Sequence, residues 1–188
     1  MNKELSLPEL NKKAARIRLV ALDMDGTLTD GSINIGAEGE LFKRFNAKDG
    51  LGITAARRHG LRVSVITGRK GPIVQRRTEE LGIAEDALSG ISAKKQALLA
   101  LADKHNLTLE EIAFMGDDLN DLSALLAAGL SAAPADAAED VRRRVSYIAP
   151  HKGGQGAVRD LLELILKARG IWDAIVDEYT EEGKEDRQ

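Results

Sequence analysis

Val20-Ala21-Leu22-Asp23-Met24-Asp25-Gly26-Thr27 is an apolar run that stops abruptly at two carboxylates. A short run without polar alternation reads as a strand buried on both faces, as in a parallel sheet. If the chain is still extended at its tip, Asp23 and Asp25 leave the same face. Anions side by side at a strand end repel each other unless something positive lies between them. Mg²⁺ suits that place, because it is a hard cation that prefers carboxylate oxygens and keeps several waters. Gly26 allows a tight turn close to a ligand. Strand tip, paired acids and Gly-Thr turn together point to phosphoryl chemistry.

Outward from this stretch the same grammar recurs. Short apolar runs at 19–22, 63–66, 113–115, 130–132 and 145–148 read as strands. Between them, periodic segments at 51–59, 72–81, 93–105, 121–128, 135–143 and 157–169 read as helices. Pro72 suits a first helical turn, and Gly60, Gly82 and Gly129 suit helix ends. Alternation of this kind predicts a doubly wound α/β fold with a mostly parallel sheet and its site outside the carboxyl ends of the strands. Residues 31–46 break the alternation and read as a β-hairpin around Ala37-Glu38-Gly39, projecting from the site end. The tail from about 170 to 188 reads as a short helix and a frayed charged end.

The chain has 188 residues, 43% hydrophobic and 30% charged, which fits a single domain over 1–188 with a proper core. Aromatics make up 3%, so that core must be Leu, Ile, Val and Ala. A net charge of −3 gives no basic field for nucleic acid. With no cysteine, disulfides and thiolate metal sites are excluded. Neither an apolar signal core at the start nor a membrane-length apolar run is present, so a cytoplasmic protein is expected.

Four polar clusters fall where strands should end: Asp23-Met24-Asp25-Gly26-Thr27, then Ile66-Thr67-Gly68-Arg69, then Lys94 at a helix start, then Gly116-Asp117-Asp118-Leu119-Asn120-Asp121. Singly, each has an ordinary structural reading: the acids as caps or turn residues, Thr67-Gly68-Arg69 as a turn, Lys94 as a solvated charge beside Lys95. Together and in order, that reading needs four independent coincidences. The set resembles the haloacid dehalogenase superfamily of aspartate-nucleophile phosphohydrolases. Within it, residues 23–31, Phe45-Asn46-Ala47-Lys48-Asp49-Gly50-Leu51-Gly52-Ile53, residues 116–121 and Gly153-Gly154-Gln155-Gly156-Ala157-Val158-Arg159 resemble the 3-deoxy-D-manno-octulosonate 8-phosphate phosphatases, over about residues 17 to 179. Superfamily members with large caps insert them between these clusters. Here the hairpin and one helix use nearly all of the first interval, and one helix and a strand use the second, so no cap domain fits. The resemblance implies instead that a neighbouring subunit of a homotetramer excludes water.

By role, the resemblance implies that Asp23 attacks phosphorus to form an aspartyl phosphate, while Asp25 protonates the leaving oxygen and then activates water. It implies Mg²⁺ held by Asp23, the Asp25 backbone carbonyl and Asp117, with Asp118 and Asp121 orienting that shell. Lys94 and Thr67 would bind the transferring phosphoryl group. Asn46, Ala47, Lys48, Asp49 and Gly50 match a loop that contacts the sugar acid, and Arg69 and Arg77 match positions that bind its carboxylate or phosphate. The bland alternative for Arg77 is a solvated helix charge, and for Lys48 and Asp49 a surface pair. Residues 153–156 read either as a segment closing over a neighbour's site or as a plain helix-entry loop. Two departures stand out: the family usually has Val at Thr27, and Ser89 and Ile91 offer no amide where a Gln-bearing stretch is usual. The rival substrate is therefore an N-acylneuraminate 9-phosphate or its deaminated analogue. A phospho-accepting signalling domain is a rival from another class. Such receivers place the accepting Asp on a middle strand and lack the general acid two residues later, so Asp25 argues against it. A catalytically silent member is the third, weighed against four intact clusters.

Overall fold

The computed structural model describes residues 5–180. In chain order the elements are α1 (Leu7–Ala15), β1 (Leu19–Leu22), β2 (Asn34–Gly36), β3 (Gly39–Phe42), α2 (Ala47–Arg58), β4 (Arg62–Thr67), α3 (Pro72–Glu80), β5 (Leu88–Ser89), α4 (Lys94–His105), β6 (Ile112–Met115), α5 (Leu122–Leu125), β7 (Leu130–Ala133), α6 (Glu139–Arg142), β8 (Tyr147–Ile148), α7 (Ala157–Ala168) and α8 (Trp172–Glu178). Six strands form one sheet in the order β5-β4-β1-β6-β7-β8, all neighbours parallel. The chain runs from β1 to one side through β4 and β5, then crosses to β6 and continues to the other side. The centre of the sheet is therefore a topological switch point, and its crevice opens at the carboxyl ends of β1, β4 and β6.

The two-residue period of a strand divides the core. Val20 and Leu22 face a layer built by Ile53 of α2 and by Leu161, Leu162 and Ile165 of α7. Leu19 and Ala21 face the opposite layer, with Phe114, Leu98 and Leu101 of α4, and Leu125 of α5. The buried stripe Val158, Leu161, Leu162, Ile165, Leu166 follows helical spacing, and α7 packs between α1 and α2. No helix among the described residues is long and apolar enough to cross a membrane.

β2 and β3 pair antiparallel as a separate two-stranded sheet, the hairpin expected within 31–46. Between β4 and α4 lie only α3, a 3-10 turn and β5, which leaves no cap domain. Other segments differ from the sequence-based expectation. The helix expected over 121–128 is a 3-10 turn, Leu119–Asp121, followed by α5. The one expected over 135–143 shrinks to α6, because Pro134 and the residues after it serve other contacts: Ala135 donates its amide to the His151 carbonyl, and Ala138 donates to the Asp117 carbonyl at 2.8 Å. Residues 46–50 are not a loop. Asn46 caps α2, its Oδ1 accepting from the Lys48 amide at 2.9 Å, and the first helical turn follows. The charged end at 181–188 lies outside the described residues.

Candidate active site

Asp23 stands one residue past β1 yet stays in the ladder, its amide donating to the Met115 carbonyl at 2.9 Å. The chain then wraps into a turn in which the amides of Thr27, Leu28 and Thr29 all converge on the Met24 carbonyl. Gly26 sits in that turn at φ +88°. A Cβ on Gly26 would lie 2.1 Å from Asp117 Oδ2, so only glycine lets the Asp117 carboxylate reach this place. After β6, the 3-10 turn folds Asp121 back beneath Asp117, fully buried. Asp121 Oδ2 accepts from the amides of Asp117 at 3.0 Å and Asp118 at 3.3 Å. Its Oδ1 accepts from Lys94 Nζ at 2.5 Å, and the same ammonium donates to Asp23 Oδ1 at 2.6 Å. Lys94 opens α4 and is 2% exposed.

Asp23, Asp117 and Asp121 each contribute an oxygen to a cluster in which all lie within 4.8 Å of one another. Two unit charges ~4 Å apart interact by about 4 kcal/mol at an effective dielectric of ~20. Repulsion on that scale is large beside a typical folding stability of about 5–15 kcal/mol. Burial, with Asp121 adding and Lys94 opposing, raises Asp23 to about 6. Burial, then the carboxylates of Asp23 and Asp121, push Asp117 up to about 7. Burial works against the charge on Lys94, but the pull of Asp23 and Asp121 outweighs it and holds its pKa above the ordinary lysine value. One ammonium against three carboxylates leaves surplus negative charge on hard oxygen donors, and that donor set fits a divalent cation such as Mg²⁺.

Asp25 is gripped from two sides, by Lys43 and by Arg69 Nε at 3.1 Å. The Lys43 side chain is completely buried and also meets Glu40 at 2.6 Å, so the hairpin is pinned to the site loop. Lys43 was not among the residues singled out in the sequence, because one lysine after a hairpin strand reads as a surface charge. Thr67, buried at the carboxyl end of β4, accepts from the Arg69 amide at 3.2 Å and shapes the loop that delivers Arg69.

The remaining expected residues divide. Asn46 Nδ2 reaches the Gly154 carbonyl at 3.4 Å, and Gly154 in turn donates to the Thr27 carbonyl at 3.0 Å, linking the start of α2 to the site loop. Asn46, Ala47, Gly50 and Arg77 line a neighbouring cavity of about 260 Å³. Gly50 makes room for Arg77, whose guanidinium stacks on Phe45 at 5.0 Å and meets Glu80 at 2.9 Å. Lys48 is exposed. Asp49 turns inward instead, and its Oδ1 accepts from the Arg159 amide at 2.8 Å in the first turn of α7. Asp118 also departs from expectation: its exposed carboxylate caps the 3-10 turn at Leu119 at 2.7 Å, and Asp121 alone of the two buries its carboxylate in the cluster. Residues 153–156 form the helix-entry loop of α7, clamped to this chain's own site. Gly153 donates to Asp136 Oδ1 at 2.9 Å, and a Cβ there would lie 1.9 Å from the Gly26 carbonyl oxygen.

A family model of haloacid dehalogenase-like hydrolases matches residues 86–161. The 3-deoxy-D-manno-octulosonate 8-phosphate phosphatase of Salmonella typhimurium is 42% identical over 166 residues, 88% of each chain. Among solved structures, that phosphatase from Moraxella catarrhalis, in complex with magnesium, phosphate and KDO, superposes with a TM-score of 0.89 at 40% identity, over 93% of this chain and 99% of that one. The cobalt-bound phosphatase from Haemophilus influenzae superposes with a TM-score of 0.85 at 37% identity, over 90% and 99%. The chain is thus a haloacid dehalogenase-like hydrolase and belongs to the family of 3-deoxy-D-manno-octulosonate 8-phosphate phosphatases.

Proposed function

We propose that this protein is a Mg²⁺-dependent phosphomonoester hydrolase that releases phosphate from 3-deoxy-D-manno-octulosonate 8-phosphate by way of Asp23. The observation that carries the reading is the convergence of Asp23, Asp117 and Asp121 around Lys94 at the carboxyl ends of β1 and β6. Asp23, the Asp25 carbonyl and Asp117 would hold the cation, which lowers the repulsion between a carboxylate and an approaching phosphate dianion. Asp121 engages Lys94 and the amides around Asp117, and so keeps both in register.

In the first step an Asp23 oxygen forms a bond to phosphorus as the bond to the sugar oxygen breaks, and Asp25 supplies the proton that oxygen needs. In the second, Asp25 takes a proton from water as that water attacks the aspartyl phosphate, freeing Asp23 and phosphate. Lys94 and the Thr67 hydroxyl stabilise the charge on the transferring oxygens. Lys43 and Arg69 hold the Asp25 carboxylate in place from opposite sides. Arg69 and Arg77 supply guanidinium groups for the carboxylate of a sugar acid, with Asn46, Ala47 and Gly50 beside Arg77. The working unit we propose is a homotetramer of single-domain subunits in the cytoplasm, feeding lipopolysaccharide precursor synthesis. The exposed apolar side chains Ile33, Ile35, Leu41 and Phe42 on the hairpin support self-association.

Phosphate release with Mg²⁺ on this ester and on N-acylneuraminate 9-phosphate tests the reading. The expected kcat/KM is at least about tenfold higher on the octulosonate ester, and Asp23→Asn abolishes turnover with folding retained. The opposite preference would assign the nine-carbon acid, and full activity in Asp23→Asn would remove the proposed nucleophile.

A further inference from the structure

We infer that Thr27 is a positioning residue for the cation site, its hydroxyl fixing the rotation of the Asp117 carboxylate. The inference rests on the reading of Asp23 and Asp117 as cation ligands. Thr27 is fully buried, and its Oγ1 donates to Asp117 Oδ1 at 3.3 Å. On the other side, the bare Cα of Gly26 borders the same carboxylate: a Cβ there would lie 2.4 Å from Asp117 Cγ and 2.1 Å from Oδ2. From below, Asp121 Oδ2 holds the Asp117 amide at 3.0 Å, and the Ala138 amide holds its carbonyl at 2.8 Å. The backbone of Asp117 is thereby set on both sides, which leaves the side-chain torsions as the remaining freedom. The glycine limits those torsions sterically and the hydroxyl limits them by hydrogen bonding. A buried hydroxyl also needs a partner of its own, so the contact satisfies both groups. Valine at this position would fill the same volume and hold nothing.

Groups that orient a metal ligand without touching the metal typically alter affinity by about 10–100-fold when removed. The test is calorimetric titration of the metal-free full-length protein with Mg²⁺ alone, without substrate, for the parent, Thr27→Val and Thr27→Ser, with thermal unfolding in chelator as the folding control. Thr27→Val is expected to weaken Mg²⁺ binding by roughly tenfold. Thr27→Ser, which restores the donor, should stay within about twofold of the parent, a rescue that simple packing at this site would not give. If Thr27→Val does not fold, Thr27→Ala removes the hydroxyl without the branched side chain and serves in its place. Parent-like binding by the hydroxyl-free variant, or an equal loss in Thr27→Ser, overturns the inference while leaving the cation site intact. A parent protein that takes up no Mg²⁺ overturns both.

Discussion

The carboxyls of Asp117 and Asp23 stand at about 7 and about 6, against an ordinary 3.8, with burial the largest cause for each. In metal-free protein the folded state therefore keeps protons that the unfolded chain has already lost. For groups raised in this way the contribution to stability is complete below about pH 4 and is lost as pH climbs through 6 and 7. A divalent cation replaces those protons and reverses the loss. Saturating Mg²⁺ should accordingly raise the unfolding temperature more at pH 7.5 than at pH 5, by at least about 3 °C in differential scanning calorimetry. An equal rise at both pH values would contradict a cation seated among these carboxylates. Asp23, Asp25 and Asp117 were legible in the sequence because each closely follows an apolar run, and a strand end fixes where such a side chain goes; Lys94 was legible as the lysine at a helix start. The contacts of Asp49, Thr27 and Lys43 were not: Asp49 read as part of a substrate-contacting loop, Thr27 as part of a turn, and Lys43 was not singled out. Their partners are Arg159, Asp117 and Asp25, and no spacing rule in a single sequence connects residues so far apart.

The hairpin β2–β3 is too short to be stable alone, since an isolated two-stranded ribbon is marginal in water. Its register against the site depends on Lys43, buried between Asp25 and Glu40. Replacing Lys43 by Met keeps most of the stem volume and removes the ammonium that joins hairpin to site loop. The expected result is a fall in kcat of roughly 10–100-fold, as for loss of an orienting group, with faster amide exchange across residues 34–42. An unchanged kcat would show that the hairpin needs no such anchor. At this scale five of the six strands of the sheet were legible from apolar runs, and α3, α4 and α7 from their periodicity; β5, only Leu88–Ser89, is too short to show as a run and was legible only as room for a strand between Thr67 and Lys94. The shortened α6 was not, because the Ala138 amide goes to the Asp117 carbonyl instead of opening a longer helix. α1 was also missed, although Ser6 and Glu9 form a reciprocal cap at its start, where the Glu9 carboxylate accepts from the Ser6 amide at 2.9 Å.

Among the described residues no cap domain stands over the carboxyl ends of the strands, and the hairpin exposes Ile35 at 70% and Leu41 at 64%. Exposed apolar side chains on a projecting ribbon favour association with further copies. Light scattering is expected to give the mass of a tetramer, and Ile35→Glu with Leu41→Glu a smaller species with activity reduced more than about tenfold. A fully active monomer would contradict sites completed by neighbouring subunits. The placement of the crevice followed from strand–helix alternation alone, whereas assembly rests on surface chemistry that alternation does not encode. Most directly decisive is an acid-quenched single turnover with the octulosonate phosphate and Mg²⁺, followed by borohydride reduction and peptide mapping. The expected result is homoserine at position 23 in the parent, absent from Asp117→Asn and from samples with chelator. Product formed at full rate with no phosphoryl group on Asp23 would be the contradicting one.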